Sequence, residues 1–318
     1  MRKKSFHHRW INFAKILLSI SIVLLISGIF LDFRENQKYA YPVEDVVETE
    51  EQETFISIDN VGRNINKDPS GDSEVQNNIA PSTTLNLEET NQLLKSEIQN
   101  DYGVSVEYGA ETEGYSITSD GKTVQTESIK DTVIAYNQLS RLKNVLALYP
   151  SGLFKEIKEG GIPLTVILVY QYSDDSITGI TDSNYNYANI SIAATYSFEE
   201  SFYHESYHYI ERYLLKKGAD FTDWDELNPE DFSYGNVNND YSYNNTFLES
   251  TFFVNNYAQT SPEEDRASTF EYMMAPNKAS CLNNGNHVWK KASKIATTIE
   301  NIMNSVSSNN TEHWEQHL

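Results

Sequence analysis

Five residues, His204-Glu205-Ser206-Tyr207-His208, constrain this chain more than any other feature. Two imidazoles spaced i and i+4 share one face only if the segment is helical. The flanking sequence predicts that helix. Ser197 followed by Glu200 reads as a capping box, and the helix should run to about Lys217 before Gly218 ends it. Phe202, Tyr203, Tyr209, Ile210 and Tyr213 imply that most of its surface is buried, which disfavours a surface helix carrying two incidental histidines. On such a helix His204 and His208 can both reach one Zn²⁺ at about 2.0–2.1 Å. Glu205 sits one position along, within reach of a water on that ion as general base. The metal would lower the pKa of that water and polarise a substrate carbonyl.

The rest of the folded region reads as α+β, a small mixed sheet followed by a mostly helical C-terminal half. Helical spacing marks 88–99 and, strongly, 130–148, with a short helix at 153–157. Strands are expected at 104–108 and 115–118. Leu164–Tyr172 (LTVILVYQY) is apolar enough to be central in a sheet. In Tyr185–Ile192 the residues Ala188, Ile190 and Ile192 fall on one face, which suits a strand with one exposed face, either interior or at the sheet edge, where it could pair with an extended polypeptide. After the histidine helix comes a long loop over 218–245, then helices at 246–256, 262–274 and 287–304.

The N-terminus is a membrane device by its pattern. Ile16–Leu31 (ILLSISIVLLISGIFL) carries no charge and follows Arg2, Lys3, Lys4, Arg9 and Lys15. With Lys15 snorkelling and Phe33 added, the stretch approaches the ~20 residues a span needs. The expected organisation is a cytoplasmic stub at 1–14, a signal anchor at 15–33, a disordered acidic tether at 34–85 and a folded domain at 86–318. The domain would lie outside the cell membrane on a single-pass anchor, or be secreted if the signal is cleaved. Acids outnumber bases 46 to 24, for a net charge of −22, which argues against nucleic acid as a partner. The lone Cys281 excludes an internal disulfide and any cysteine-based zinc ribbon.

A catalytic tetrahedral zinc needs a third protein ligand. Glu211 lies two helical turns from His204, about 10 Å, too far to close the site, and reads as a salt-bridge or outer residue. A better source is the helix opened by Ser261-Pro262-Glu263-Glu264, where Pro near N1 and acids in the first turn mark a helix start. Either Glu263 or Glu264 could serve. His313 and His317, spaced i, i+4, fall in a polar tail and read as solvated. His7, His8, His287 and Cys281 show no chemistry of their own.

HExxH followed downstream by Tyr257-x6-Glu264 resembles the gluzincin metallopeptidases of the anthrax lethal factor and bacterial Pro-Pro endopeptidase kind. The resemblance implies a zincin-like peptidase fold, with Glu264 as third zinc ligand and Tyr257 stabilising the oxyanion. A second resemblance covers Trp224-Asp-Glu-Leu-Asn-Pro-Glu-Asp-Phe-Ser-Tyr234 and Glu264-Asp-Arg-Ala-Ser-Thr-Phe-Glu271. These are similar to WxxLNPxxFxYG and EDRAExFE in proteins of Gram-positive bacteria named as zinc metallopeptidases. Ser268 stands where those proteins often have Glu, so Asp265 or Glu271 is left to orient a histidine. The expected activity is zinc-dependent endopeptidase action on polypeptides, with catalytic Glu205 and Tyr257 and metal ligands His204, His208 and Glu264. A surface binding or scaffold protein with a structural zinc site is the alternative, and hydrolysis of a non-peptide amide is a third reading.

Overall fold

Leu164–Tyr172 forms the central strand, as its composition requires. A computed structural model describes residues 86–119, 122–195, 197–235, 251–282, 285–306, 311–316 and 318. The apolar run 16–31, the acidic stretch 34–85, the segment 236–250 and His317 lie outside the described residues. Among the described residues six strands form one curled mixed sheet: β1 (Ser105–Glu107), β2 (Ser116–Ser119), β3 (Lys122–Ser128), β4 (Leu164–Tyr172), β5 (Gly179–Ser183) and β6 (Ala188–Ala193). β4 pairs in parallel with β6 on one side. On the other side its first half pairs with β1 in parallel and its second half with β3 antiparallel. Buried on both faces, β4 needs apolar residues at nearly every position. Val166 and Leu168 join the main core, while Ile167, Val169 and Tyr172 face the opposite side. There the β2–β3 hairpin curls over and contributes Ile117 and Val124.

β5 and β6 are antiparallel, and the strand order β2-β3-β4-β6-β5 leaves β5 at the edge. Of the two expectations for Tyr185–Ile192, the interior one is met. The strand there is β6, and it is interior, because the polar segment before it folds back as the true edge.

The helices are α1 (Leu87–Tyr102), α2 (Thr132–Leu146), α3 (Leu153–Glu159), α4 (Phe198–Lys216), α5 (Pro262–Met274) and α6 (His287–Ile302). Among the described residues the half after β6 is helical or irregular, and no helix is long and apolar enough to cross a membrane. Local capping sets several starts. Asn86 Oδ1 accepts from Glu89 N at 2.8 Å, Asp131 caps α2 and Ser261 Oγ accepts from Glu264 N at 3.2 Å. Two expectations fail. The capping box at Ser197 does not form: its backbone is not extended, its hydroxyl bonds to no helix amide, and Glu200 reaches Lys278 instead, at 2.9 Å. The helix expected at 246–256 is absent over 251–256. Asn255 and Asn256 bond locally to Ala258 N and Gln259 Nε2, giving the backbone an alternative that leads into a 3₁₀ turn at Tyr257–Gln259.

Glu156 on α3 ties down the segment after α6. Its carboxylate accepts from Asn304 N at 2.9 Å and Ser305 N at 2.7 Å. Partial burial pushes this carboxyl up, but the bonds from Asn304 and Ser305 outweigh it and hold it below the usual 4.5. A depressed folded-state pKa contributes stability that is present above about 4.5 and lost as pH falls through the folded value. Glu156→Gln should therefore cost about 1 kcal/mol at pH 7, after discounting for solvent screening, and progressively less below pH 4.5. Urea titrations of both proteins between pH 7 and 3 measure it, and a difference that grows on acidification would contradict it.

Candidate metal centre

Between Ser201 and Leu214 nearly every residue of α4 is buried. Phe202, Tyr203, Tyr207, Tyr209, Ile210 and Tyr213 pack inward. Only Ser201, Glu205, His208 and Arg212 remain partly accessible, and their spacing of four, three and four residues makes one stripe along the helix. His204 borders that stripe at 9% exposure, with ring centroids of His204 and His208 5.0 Å apart. The aromatic run of this segment thus presses three sides of the helix into protein and leaves a narrow polar line at the surface.

α5 crosses α4 and delivers Glu264 to this line. Glu264 Oε2 lies 2.9 Å from His204 Nε2 and 3.5 Å from His208 Nε2. The ligand atoms of the three residues fall within 4.8 Å of one another. Glu263, the other candidate, points elsewhere: its side chain is 58% exposed and lies 3.8 Å from Arg266. Glu211 also faces away and pairs with Arg266. Tyr257, in the turn before α5, places its ring 5.8 Å from that of His204 and is 43% exposed.

The electrostatics couple these groups tightly. Burial pushes the His204 imidazole down, but the Glu264 and Glu271 carboxylates outweigh it and hold it well above 6.5. Burial likewise pushes Glu264 up, yet bonds from both histidines carry it well below the ordinary carboxylate range. The donor set, two imidazole nitrogens and one carboxylate oxygen, fits a catalytic zinc ion, whose typical protein ligands are of these kinds and number three. His204 is aimed from behind by Glu271, whose Oε2 is 3.5 Å from its Nδ1. Lys278 fixes Glu271 at 2.6 Å and also bonds Glu200. Of the two residues left open by Ser268, Glu271 faces a histidine. Asp265 turns the other way, accepting from Trp224 Nε1 at 2.9 Å, Tyr234 Oη at 2.7 Å and Lys291 Nζ at 2.6 Å.

Strand β5 lies along the open stripe, a feature sequence reasoning missed. Thr181 Oγ1 donates to the Glu205 carbonyl at 3.0 Å, and Ser201 Oγ donates to Thr178 Oγ1 at 2.8 Å. Gly179 sits against the Glu205 side chain. A Cβ at Gly179 would stand 2.9 Å from Glu205 Cγ, 3.0 Å from Ile192 Cδ1 and 3.3 Å from Glu205 Oε1. The single available signal was the glycine itself, which inside a strand pattern marks close approach of another group.

No family model matches this chain, and no curated protein does. Among solved structures, one match is a crystal structure described as a "putative zinc-binding metallo-peptidase" from Bacteroides caccae. It is 16% identical, covers 67% of this chain and 85% of that chain, and superposes with a TM-score of 0.48.

Proposed function

We propose that this chain is a zinc-dependent endopeptidase. One observation carries the reading: His204, His208 and Glu264 converge from two helices while Glu205 stands beside them on the open stripe, next to a sheet edge that no described strand pairs with. His204, His208 and Glu264 would hold the ion. Bound zinc supplies Lewis acidity, activating water and polarising a carbonyl. Glu205 accepts the proton of the attacking water and passes it toward the leaving amine. Tyr257 donates a hydrogen bond to the oxygen on which charge develops. Glu271, held by Lys278, keeps the His204 ring in one orientation and one tautomer.

The edge supports a polypeptide substrate. Thr178 O bonds Ala193 N, so the alternation of the β5–β6 ladder turns the main-chain groups of Gly179, Thr181 and Ser183 outward. An extended peptide pairing there would run past Glu205. The apolar run 16–31 and the acidic 34–85 segment support a signal anchor at 15–33 and a tether that hold the 86–318 domain outside the cell membrane.

The test is metal content together with turnover. Purified full-length protein should contain one zinc per chain and cleave members of a peptide library. A chelator should abolish cleavage and added zinc should restore it. Stoichiometric zinc with no peptide cleaved would make this a binding protein with a structural site, and absence of tightly bound metal would end the proposal.

Gly179 gives a sharper expectation. Its φ lies outside the left-handed region, so alanine is tolerated by the backbone, and the strain falls on Glu205 and Ile192. Gly179→Ala should lower kcat by roughly 10- to 100-fold, the scale set by misplacing a general base. Zinc content and melting temperature should stay close to wild type. Unchanged kcat would mean that Glu205 does not work from this position.

A further inference from the structure

We infer that Arg212 determines substrate specificity by binding a carboxylate of the peptide about three residues from the cleaved bond, an inference that rests on the peptidase reading above. Arg212 is the last member of the accessible stripe Ser201, Glu205, His208, Arg212. β5 and the turn after it track this stripe from end to end. Thr178 bonds Ser201, Gly179 and Thr181 meet Glu205, and the Tyr185 ring lies 5.4 Å beneath the Arg212 guanidinium. Lys216, one turn further, closes the end by donating to Tyr185 O at 2.7 Å. The line along which the strand edge meets the helix therefore starts near Ser201 and finishes at a cation.

Among the described residues the cation has no acid to neutralise it. Arg141, Arg266, Lys278 and Lys291 each pair with a carboxylate. Arg212 pairs with none among the described residues, and its Nε is sealed from solvent without an acceptor. In a chain where acids outnumber bases 46 to 24, a half-buried guanidinium left unpaired is against expectation. The accessible N–H groups of the guanidinium are left for an incoming carboxylate, and such a charge-assisted pair would offset the cost of holding the cation half-buried. The guanidinium carbon lies over the Tyr185 ring, a cation–π contact that uses no N–H group and so leaves them for bidentate contact with a carboxylate.

Spacing sets where that carboxylate falls. Glu205 to Arg212 is seven residues, about 10 Å along a helix. An extended peptide rises about 3.3 Å per residue, so about three residues separate the bond beside Glu205 from the group at Arg212. An Asp or Glu side chain and a free C-terminus offer the same chemistry there.

Three peptide series separate the sources: Glu two to four residues from the cleaved bond on either side, neutral peptides ending in a free carboxylate, and neutral peptides with amidated ends. Cleavage is measured with the zinc-loaded full chain, and binding by fluorescence anisotropy with the Glu205→Gln variant. Wild type should favour one carboxylate-bearing series by roughly 10- to 100-fold in kcat/KM, and binding should rank the peptides the same way. Arg212→Gln should lose that preference while cleaving the amidated neutral peptides at the wild-type rate, which also certifies its fold. Arg212→Lys should keep a part of it.

Equal cleavage of all series by wild type overturns the inference and leaves the peptidase reading standing. So does a preference that survives in Arg212→Gln. Carboxylate-selective binding that Arg212→Gln abolishes, without turnover in wild type, upholds a peptide-carboxylate site at Arg212 and removes the peptidase reading. Failure to bind any peptide removes both.

Discussion

Glu205→Gln is expected to lower kcat/KM on any cleaved peptide by about 100- to 10,000-fold, the range of a general base, while the full chain keeps its zinc. The two halves of this expectation come from different atoms. The proposed metal is held by His204, His208 and Glu264, whose converging nitrogen and oxygen atoms do not include Glu205. Glutamine preserves the size of the side chain beside Gly179, so the close contact there and the Thr181 bond to the residue 205 carbonyl survive. Only the capacity to accept a proton is lost. Zinc content and thermal stability near wild type with hydrolysis at background is the expected pattern. Removing a ligand, as in Glu264→Ala, should differ by losing the metal as well. Should the Gln variant cleave at the wild-type rate, Glu205 is not the proton acceptor and the mechanism must be redrawn.

Much of this site could be read from local pattern because local pattern is what forms it. The i, i+4 histidines and the aromatic burial of α4 require a helix, and Ser261-Pro262 starts α5 at the expected residue. β4 is legible because burial on both faces over Val166–Val169 demands consecutive apolar residues. The arrangement of the helices is not encoded in such spacing. His204 and Glu264 are sixty residues apart, and their 2.9 Å contact depends on how α5 packs on α4. That pairing was reached through resemblance to a motif, not by periodicity. β5 (GITDS) escaped notice for a physical reason: an edge strand against the polar stripe of a helix needs no alternating hydrophobics, and Gly179 and Thr181 serve close approach and hydrogen bonding instead. β3 (KTVQTES) is similarly polar and is held by its hairpin partner and β4. Arg212 extends the 204–208 spacing by one further turn, so its place on the helix could be read, but its lack of an acid partner needed the tertiary contacts.

The second large effect concerns a charge, not a ligand. Lys291→Met should destabilise the fold by about 3–5 kcal/mol, the cost of leaving one member of a buried ion pair without its partner. Lys291 Nζ and Asp265 Oδ2 are 2.6 Å apart and both side chains are 0% exposed. Burial pushes the Asp265 carboxyl up and the Lys291 ammonium down, each opposed by the other's charge. Oδ2 also accepts from Trp224 and Tyr234, while Oδ1 has no hydrogen-bond partner among the described residues. Two neutral donors cannot offset a full buried charge once the ammonium is gone. Met matches the length of Lys and packs against Trp224 and Phe253, over which the lysine now lies, so the loss reports charge more than volume. For a domain of this size the melting temperature should fall by roughly 6–20 °C. Because the penalty belongs to the orphaned carboxylate, Asp265→Asn placed on top of Lys291→Met should recover part of it, and a double-mutant cycle reads that coupling directly. A single variant within 1 kcal/mol of wild type, or a double variant as unstable as the sum of the singles, would show that Asp265 and Lys291 act independently. Asp265 follows Glu264 in α5, and its bonds join the loop of Trp224 and Tyr234 to α6. Damage here should therefore weaken zinc retention along with the fold, although neither residue touches the metal-binding atoms.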